Sequence, residues 1–223
     1  MTRQAESSVA HALFDDGIVA VVRLSREEDG LPVAHALCDG GVRIVEITIT
    51  TPGATEMIER IRDEIPEALV GAGSVLTCED VDRCLAAGAE FLVAPILDER
   101  VLSHALEQGA LFCPGTFTPS EAYRAWKLGA PLVKVFPAAR LGPKYISDLK
   151  APIPFLRVMP TGGVTAETAG AFLRAGADTL GAGSWLTPRD AIGSGDFDIV
   201  RKRAMQLRQA VDDALSPARE ETV

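Results

Sequence analysis

The sequence predicts an α/β protein, a single closed (β/α)8 TIM barrel with an N-terminal helix and a C-terminal helix. Two repeating patterns predict this fold: helix-like segments that end in glycine just before an apolar run, and capping residues where an apolar run leads into the next helix. A glycine just past a helix can adopt the left-handed conformation that turns the chain into a strand. The glycines at these junctions are Gly17, Gly41, Gly88, Gly109, Gly129 and Gly176.

The spacing of these glycines indicates the number of strand–helix units. Successive glycines are 20 to 24 residues apart, except for two gaps of 47 residues. Pro66 and Pro152 lie inside those gaps, shortly before apolar runs, and supply the missing junctions. Eight units favour the closed barrel. An open doubly wound sheet is the alternative, but the motif at Gly71 and Gly73 lacks the third glycine of a dinucleotide-binding loop.

The strand-to-helix junctions carry residues that cap helix N-termini. Ser25 with Glu28 and Thr118 with Glu121 match the capping-box pattern, and Pro119 suits the first helical position. Further N-caps are expected at Thr77, Asp98 and Thr165. These signals place a helix after each strand, as a βα repeat requires.

The chain of 223 residues can bury one sizeable core, and no stretch of it resembles a linker between domains. We expect one domain overall. Residues 1–17 are predicted to form an N-terminal helix, residues 18–195 the barrel, and residues 196–223 a C-terminal helix with a frayed tail from Ser216 onward.

Composition and charge argue against several classes of function. A net charge of −9 disfavours nucleic acid and anionic membrane surfaces as partners. The apolar runs are too short to span a membrane and the N-terminus lacks a signal pattern, so a cytoplasmic location is expected. The four cysteines include no Cys-x-x-Cys pair and the three histidines are scattered, so we expect no metal site and no other cofactor.

Lys134 stands in the middle of a predicted buried strand between Ala130 and Pro137. Burying an ammonium in apolar surroundings is costly unless the group is paired or loses its proton. A neutral buried lysine is a nucleophile that can form a Schiff base with a carbonyl substrate. A structural ion pair, or a side chain reaching out from the strand end, is the alternative interpretation.

Glu46 is a carboxylate inside another apolar run, residues 43–48. It lies on the second predicted strand and Lys134 on the sixth, and even-numbered strands share the side-chain layers of a barrel interior. We therefore expect the two side chains to approach across one cavity, where Glu46 can transfer the protons of a Schiff-base reaction. A buried structural pair is again the alternative, although such pairs add little stability.

The loops after the seventh and eighth strands are the usual phosphate site of a barrel. Here they contain the segments 161–163 (Thr-Gly-Gly) and 183–184 (Gly-Ser). Glycines let backbone N–H groups approach phosphate oxygens, and the helix that begins after Thr165 adds a favourable dipole. The position of both segments favours a phosphorylated ligand over ordinary turn chemistry.

Five segments resemble the class I aldolases of 2-keto-3-deoxy-6-phosphogluconate (KDPG) and 4-hydroxy-2-oxoglutarate (KHG). They are 45–48 (Val-Glu-Ile-Thr), 71–75 (Gly-Ala-Gly-Ser-Val), 133–138 (Val-Lys-Val-Phe-Pro-Ala), 160–164 (Pro-Thr-Gly-Gly-Val) and 181–184 (Gly-Ala-Gly-Ser). The resemblance runs from about Ile18 to Leu186 in order and with matching spacing. The lysine segment and the Pro-Thr-Gly-Gly segment are the specific ones.

The resemblance implies a metal-independent aldolase that cleaves KDPG to pyruvate and D-glyceraldehyde 3-phosphate, and it implies a homotrimer. Lys134 would form the Schiff base with the 2-oxo acid, and Glu46 would transfer the protons. The residues expected to bind substrate are Arg23, Thr48, Ser74, Pro95, Phe136, Thr161, Gly162, Gly163, Gly183 and Ser184.

Within this set the resemblance implies separate tasks. Ser74 would hold the pyruvate carboxylate by its hydroxyl, and Thr161 would bind a substrate hydroxyl. Phe136 and Pro95 would form walls of the pocket. The glycines together with Ser184 would bind the phosphate.

The carboxylate anchor departs from the commonest family pattern. Many members carry an arginine just after the Glu-x-Thr segment, but Thr50 stands at that position here. Other members have an arginine at the end of the first strand, and Arg23 matches those. A guanidinium can hold a carboxylate bidentately from either strand, so we assign the anchor to Arg23. The segment 141–143 resembles phosphogalactonate aldolases, whereas Thr161 resembles enzymes that prefer the gluco epimer, which leaves the epimer and the use of unphosphorylated KHG open.

Two other functions are consistent with these residues. A sugar-phosphate epimerase or isomerase on a phosphate-binding barrel could use Glu46 as a base and Lys134 as an electrostatic partner, with no covalent intermediate. A non-catalytic phosphosugar-binding barrel would bind the same ligands without turnover.

Overall fold

The computed structural model describes residues 8–216, in which helices and strands alternate along the chain. The strands are β1 (Ile18–Val22), β2 (Ile44–Thr48), β3 (Leu69–Gly73), β4 (Phe91–Val93), β5 (Leu111–Cys113), β6 (Gly115–Thr116), β7 (Val133–Val135), β8 (Val158–Pro160) and β9 (Leu180–Ala182). The helices are α1 (Ser8–Asp16), α2 (Gly30–Asp39), α3 (Ala54–Glu64), α4 (Cys78–Ala86), α5 (Glu99–Glu107), α6 (Pro119–Lys127), α7 (Gly142–Lys150), α8 (Ala166–Arg174), α9 (Arg189–Gly193) and α10 (Phe197–Leu215). The start of the predicted N-terminal helix and the tail predicted beyond Ser216 lie outside the described residues.

The strands pair in parallel and form two sheets within residues 8–216. One is a curled sheet of six strands in the order β5-β4-β3-β2-β1-β9, and the other has three strands in the order β6-β7-β8. Pro114 separates β5 from β6, and a parallel bridge between Thr161 and Gly181 joins the end of β8 to β9. The predicted α/β class and parallel sheet are therefore confirmed, while the closure into eight strands stays a prediction.

Alternate residues of the strands belong to two different cores. The inner cluster takes one face of the sheets and is covered by α1, with members that include Ala10, Leu13, Val19, Ile44, Phe91, Leu132 and Met159. Val45 and Val133, on the opposite face, pack in the larger core under the helices. Since side chains alternate along a strand, Glu46 and Lys134 face the same side as the inner cluster. The fold thus points both charged side chains inward, as predicted.

The predicted helix-to-strand turns are confirmed. All six junction glycines have positive φ angles, between 74° at Gly17 and 107° at Gly129. A residue with a Cβ would be strained there, since left-handed backbone is costly for other L-residues. Each turn brings the chain directly from a helix to the start of the next strand.

Four of the five predicted N-caps are confirmed. Thr77, Thr118 and Thr165 each form a capping box, and Asp98 accepts hydrogen bonds from the N–H groups of the first turn of α5. The capping box predicted at Ser25 is wrong. A 3-10 turn, Glu27–Asp29, precedes α2 there, and it makes no side-chain cap bond.

The two terminal helices lie close together. α10 packs against α2 and α8, and the guanidinium of Arg208 donates a hydrogen bond of 2.7 Å to the carbonyl oxygen of Asp16 at the end of α1. Among residues 8–216 there is no helix both long and apolar enough to cross a membrane.

Thr118→Ala tests the capping argument, because it removes the side chain that satisfies a backbone N–H at the start of α6. We expect the free energy of unfolding to fall by about 1 kcal/mol. Ser25→Ala is the matched control and should change it by less than about 0.5 kcal/mol, since Ser25 caps no helix. Urea unfolding followed by circular dichroism measures both. Equal losses in the two variants would contradict the assignment of the caps.

Candidate active site

One cleft of about 570 Å³ opens at the carboxyl ends of the strands and contains every residue that the sequence analysis selects. These residues are Arg23, Glu46, Thr48, Ser74, Pro95, Lys134, Phe136, Thr161, Gly162, Gly163, Gly183 and Ser184. They come from seven different strands or the loops that follow them. Parallel strands end at a common edge, so the topology accounts for their convergence.

Lys134 occupies the centre of β7 and is 5% exposed. Its backbone is held on both sides, because its N–H donates to the carbonyl oxygen of Pro114 at 2.9 Å and its own carbonyl accepts from Thr116. Its Nζ lies 5.3 Å from the centre of the Phe136 ring. The amine therefore sits at the closed end of the cleft with an aromatic face beside it.

Glu46 lies opposite Lys134, with 3.7 Å between Glu46 Oε1 and Lys134 Nζ. The glutamate is fully buried, and neither carboxyl oxygen has a hydrogen-bond partner among the described residues. Burial raises the pKa of Glu46 above that of an ordinary glutamate, while the charges of Lys134 and Arg23 partly oppose the rise. A carboxyl with a raised pKa holds its proton to a higher pH than an ordinary glutamate, which suits a group that both donates and accepts protons.

Gly73 makes room for this carboxyl group. A Cβ placed on Gly73 would collide with Oε1, Cδ and Cγ of Glu46. Two residues earlier on β3, a Cβ on Gly71 would collide with the ring of Phe91. The glycines that weakly suggest a nucleotide loop in the sequence instead let buried side chains cross the inner face of the sheet.

Hydroxyl groups join the ends of β2 and β1. The Oγ1 of Thr48 lies 3.1 Å from that of Thr50 and 3.3 Å from that of Thr51. Thr51 in turn accepts a hydrogen bond from the N–H of Leu24, directly after Arg23. This network holds the two strand ends in register at the rim of the cleft.

Ser74 follows β3 with a φ of 63°, a left-handed conformation that is unusual for a residue other than glycine or asparagine. Its side chain lines the cleft. Such conformations persist where the surrounding structure imposes them, and they concentrate at functional sites. The backbone therefore supports the assignment of Ser74 to the site.

The two glycine segments present backbone amides to the cleft. No described residue accepts a hydrogen bond from the N–H of Gly162, Gly163 or Ser184. Gly162 and Gly163 have φ angles of 95° and 74°, and a Cβ on Gly163 would press on Ala139. Unpaired amides beside the start of α8 form a suitable cradle for an anion.

The rest of the wall is shaped by packing. Phe136 is 37% exposed at the mouth, and the peptide bond to Pro137 is cis. Thr161 is 5% exposed, and a Cβ on Gly181 would collide with its Oγ1. The backbone of Pro95 leaves no space for a Cβ on Gly115.

A family model for "KDPG and KHG aldolase" matches residues 9–203 of the chain. The chain belongs to the KDPG and KHG aldolase family. It is therefore an aldolase, a carbon–carbon lyase.

Two relatives of known name each match more than three quarters of this family member. The 2-dehydro-3-deoxy-phosphogluconate aldolase of Treponema pallidum is 38% identical over 205 residues, which are 92% of this chain and 98% of the relative. The 2-dehydro-3-deoxy-6-phosphogalactonate aldolase of Escherichia coli is 36% identical over 171 residues, 76% of this chain and 83% of the relative.

A solved structure resembles the fold closely. KDPG aldolase from Legionella pneumophila, with pyruvate captured at low pH as a covalent carbinolamine intermediate, superposes with a TM-score of 0.83 at 28% identity. The match covers 89% of this chain and 97% of that one.

Seven lining residues of this aldolase were not selected as site residues from the sequence. They are Val21, Thr50, Leu76, Val164, Trp185, Thr187 and Arg189. Arg189 begins α9 and, with Arg23, also borders an adjoining pocket of about 360 Å³. Its place at the end of the loop that leaves β9, shortly after Ser184, is a signal that could have identified it. With Lys134, the cleft carries three cations against the carboxyl of Glu46, although the chain as a whole has a charge of −9.

Glu46→Gln tests the raised pKa through stability. As pH rises past the pKa of the unfolded chain, the unfolded carboxyl ionises first, so wild-type stability that depends on the protonated group is lost. Glutamine does not titrate. We therefore expect the variant to gain stability relative to wild type between pH 4 and pH 8, measured by urea unfolding at each pH. A difference that stays constant, or that falls with pH, would contradict a raised pKa.

Proposed function

We propose that this aldolase cleaves KDPG to pyruvate and D-glyceraldehyde 3-phosphate through a Schiff base on Lys134. The observation that carries the proposal is the distance of 3.7 Å between Lys134 Nζ and Glu46 Oε1 at the buried end of the cleft. The carbinolamine of the Legionella relative supports covalent chemistry with pyruvate.

The reaction follows from the two groups. The amine of Lys134, once it has given up its proton, attacks the C2 ketone of the substrate, and loss of water from the resulting carbinolamine gives an iminium ion. Removal of the C4 hydroxyl proton breaks the C3–C4 bond and releases the aldehyde. The electrons of that bond move toward the iminium nitrogen, which leaves an enamine. Protonation at C3 and hydrolysis then free pyruvate and regenerate the amine.

Glu46 is proposed to carry the protons between these steps. It faces Lys134 from across the cavity and makes no hydrogen bond that would hold it in one protonation state. Burial favours its neutral form, so it can donate a proton to the departing hydroxyl of the carbinolamine, and as a carboxylate it can accept one from the C4 hydroxyl group.

The substrate ends are proposed to bind at opposite sides of Lys134. Arg23 and the hydroxyl of Ser74 hold the carboxylate, and Thr48 supports this side through its hydroxyl network. Arg23 is exposed, and no described carboxylate pairs with it, so its guanidinium is available for an anion. Thr50, which stands where many family members carry an arginine, supplies no charge to this anchor.

The phosphate is proposed to bind the free amides of the cradle. Gly162, Gly163, Gly183 and Ser184 line this end of the cleft. Thr161 binds a substrate hydroxyl between the two ends, and Phe136 and Pro95 close the sides.

The galacto epimer is a second candidate substrate. The phosphogalactonate aldolase of Escherichia coli has the same 36% identity as one of the gluco enzymes, over 171 rather than 210 residues, and α7 begins with the Gly142-Pro143 pair that resembles that subgroup. Rates of cleavage of the two epimers, measured side by side, decide between them. Unphosphorylated KHG, which would leave the amide cradle empty, is the third substrate to compare.

The closure of the barrel, the oligomeric state and the cellular location are proposed together with the function. We infer that residues 18–195 form one closed (β/α)8 barrel in a single domain, because β5 continues into β6 past Pro114 and Thr161 bridges to Gly181. A homotrimer is consistent with an exposed aromatic patch, in which the rings of Trp126 and Phe155 are 4.3 Å apart. The free thiols of all four cysteines fit the expected cytoplasmic location.

Borohydride reduction in the presence of pyruvate tests the Schiff base. We expect wild type to gain a stable adduct at Lys134, located by peptide mass spectrometry, because reduction converts the imine into a secondary amine. Lys134→Met should form no adduct and show no turnover while its circular dichroism spectrum is unchanged.

Lys150→Met is the matched control for that variant. Lys150 is a partly buried lysine paired with Asp178 at 2.8 Å, away from the cleft, so its loss should leave adduct formation intact. Turnover without an adduct would favour the epimerase or isomerase alternative. An adduct or binding without release of pyruvate would favour a binding protein.

Arg23→Ala tests the carboxylate anchor. Loss of a charged hydrogen bond should raise the KM for pyruvate in the condensation direction about tenfold, with a much smaller effect on kcat. Arg174→Ala, which removes an exposed arginine at the far end of α8, should leave both constants unchanged. An unchanged KM in Arg23→Ala would reject the anchor and direct attention to Arg189.

A further inference from the structure

Trp185 lies in the loop that connects β9 to α9, directly after Ser184 of the amide cradle, and it lines the cleft. The loop folds around the carbonyl oxygen of Gly183, which accepts hydrogen bonds from Leu186 N–H at 2.8 Å and Thr187 N–H at 3.0 Å. This arrangement leaves the N–H groups of Ser184 and Trp185 without an acceptor among the described residues. The phosphate cradle therefore depends on how this loop is held.

Arg203 of α10 contacts Trp185 in two ways. Its Nη1 donates a hydrogen bond to the carbonyl oxygen of Trp185, and its guanidinium carbon lies 5.5 Å from the centre of the indole ring. Tryptophan is the aromatic side chain that attracts cations most strongly. One side chain thus fixes both the backbone and the ring of a residue in the loop.

The other cations of α10 have different partners. Arg201 and Lys202 pair with Asp198 on the same helix, at 2.6 Å and 2.7 Å, and Arg208 pairs with Asp16 and Asp212. Within residues 8–216, no carboxylate lies within ion-pair distance of Arg203. Its half-buried guanidinium is therefore committed to the loop rather than to a surface ion pair.

We propose that Arg203 is a positioning residue that holds the 183–187 loop ready to bind the substrate phosphate. This inference rests on the proposed function. When Arg203 is absent, the loop must be ordered at the moment of binding, and that entropic cost weakens binding of the phosphorylated end. The covalent steps take place at Lys134, which Arg203 does not contact, so we expect their rates to be unaffected.

Arg203→Ala separates these effects in the condensation reaction. We expect the KM for D-glyceraldehyde 3-phosphate to rise about three- to tenfold, the range that a cation–π contact and one hydrogen bond support. With unphosphorylated D-glyceraldehyde, kcat/KM should stay within about twofold of wild type, because that aldehyde does not use the cradle. Inorganic phosphate should compete more weakly in the variant than in wild type.

Two further variants sharpen the test. Lys202→Ala removes the same charge from the next position of α10 and should leave every constant unchanged, since Lys202 contacts Asp198. Arg203→Lys keeps the charge but not the planar donor group, so it should remain closer to Arg203→Ala than to wild type. Full recovery of the wild-type KM in Arg203→Lys would show that the positive charge alone is needed, and it would overturn the positioning role.

The remaining outcomes are also decisive. Equal losses with the phosphorylated and unphosphorylated aldehydes, or no loss with either, would overturn the proposal. If Arg203→Ala does not fold, Trp185→Leu removes the ring partner and is expected to show the same selective rise in KM. A wild-type protein that forms no borohydride adduct with pyruvate would instead reject the proposed function, which keeps the two failures distinct.

Discussion

The proposed active site depends on keeping a carboxyl group and an amine together at the buried end of the cleft. Glu46 is fully buried with both oxygens unsatisfied, and Lys134 is 3.7 Å away with 5% of its surface exposed. A buried pair of this kind contributes little to stability, because desolvation offsets much of the attraction. The fold nevertheless accommodates it, with Gly73 on β3 lacking a side chain where the carboxyl lies. A chain that needed only a stable core would gain from apolar residues here.

The charge of the cleft differs in sign from the net charge of the chain. The chain carries −9, yet the cleft is lined by Lys134, Arg23 and Arg189 against the carboxyl of Glu46. A cleft with low-dielectric walls concentrates the field of its own groups, so the local excess of cations can attract a substrate with two anionic groups despite the net charge. The arginines stay exposed, where a guanidinium keeps its hydration until an anion replaces it, whereas the reacting groups are desolvated beforehand.

Local sequence signals predicted the elements well, and long-range contacts account for what they missed. The junction glycines and the caps at Thr77, Asp98, Thr118 and Thr165 act within a few residues, so their chemistry is visible in the sequence. Ser25 failed because Arg26 and Asp29 pair at 2.8 Å across a 3-10 turn, which gives the chain another way to enter α2. Trp185 was missed because lining a cleft is a property of the folded chain. Arg203 could not be found at all from spacing, since it acts on a loop 18 residues earlier.

Exposure increases along the cleft in the order that the chemistry requires. Glu46, Lys134 and Thr161 are at most 5% exposed, whereas Phe136 at the mouth is 37% exposed and Arg23 lies open to solvent. In the proposed reaction, bond making and breaking thus take place in the least exposed part of the cleft, while the anionic ends of the substrate bind to groups that water can also reach. When the products dissociate, water rehydrates these anionic groups and offsets the loss of their contacts with the protein. The interactions that bind the substrate therefore do not trap the products. The backbone amides of the cradle suit this arrangement, because they bind an anion without a buried charge that would have to be neutralised when it departs.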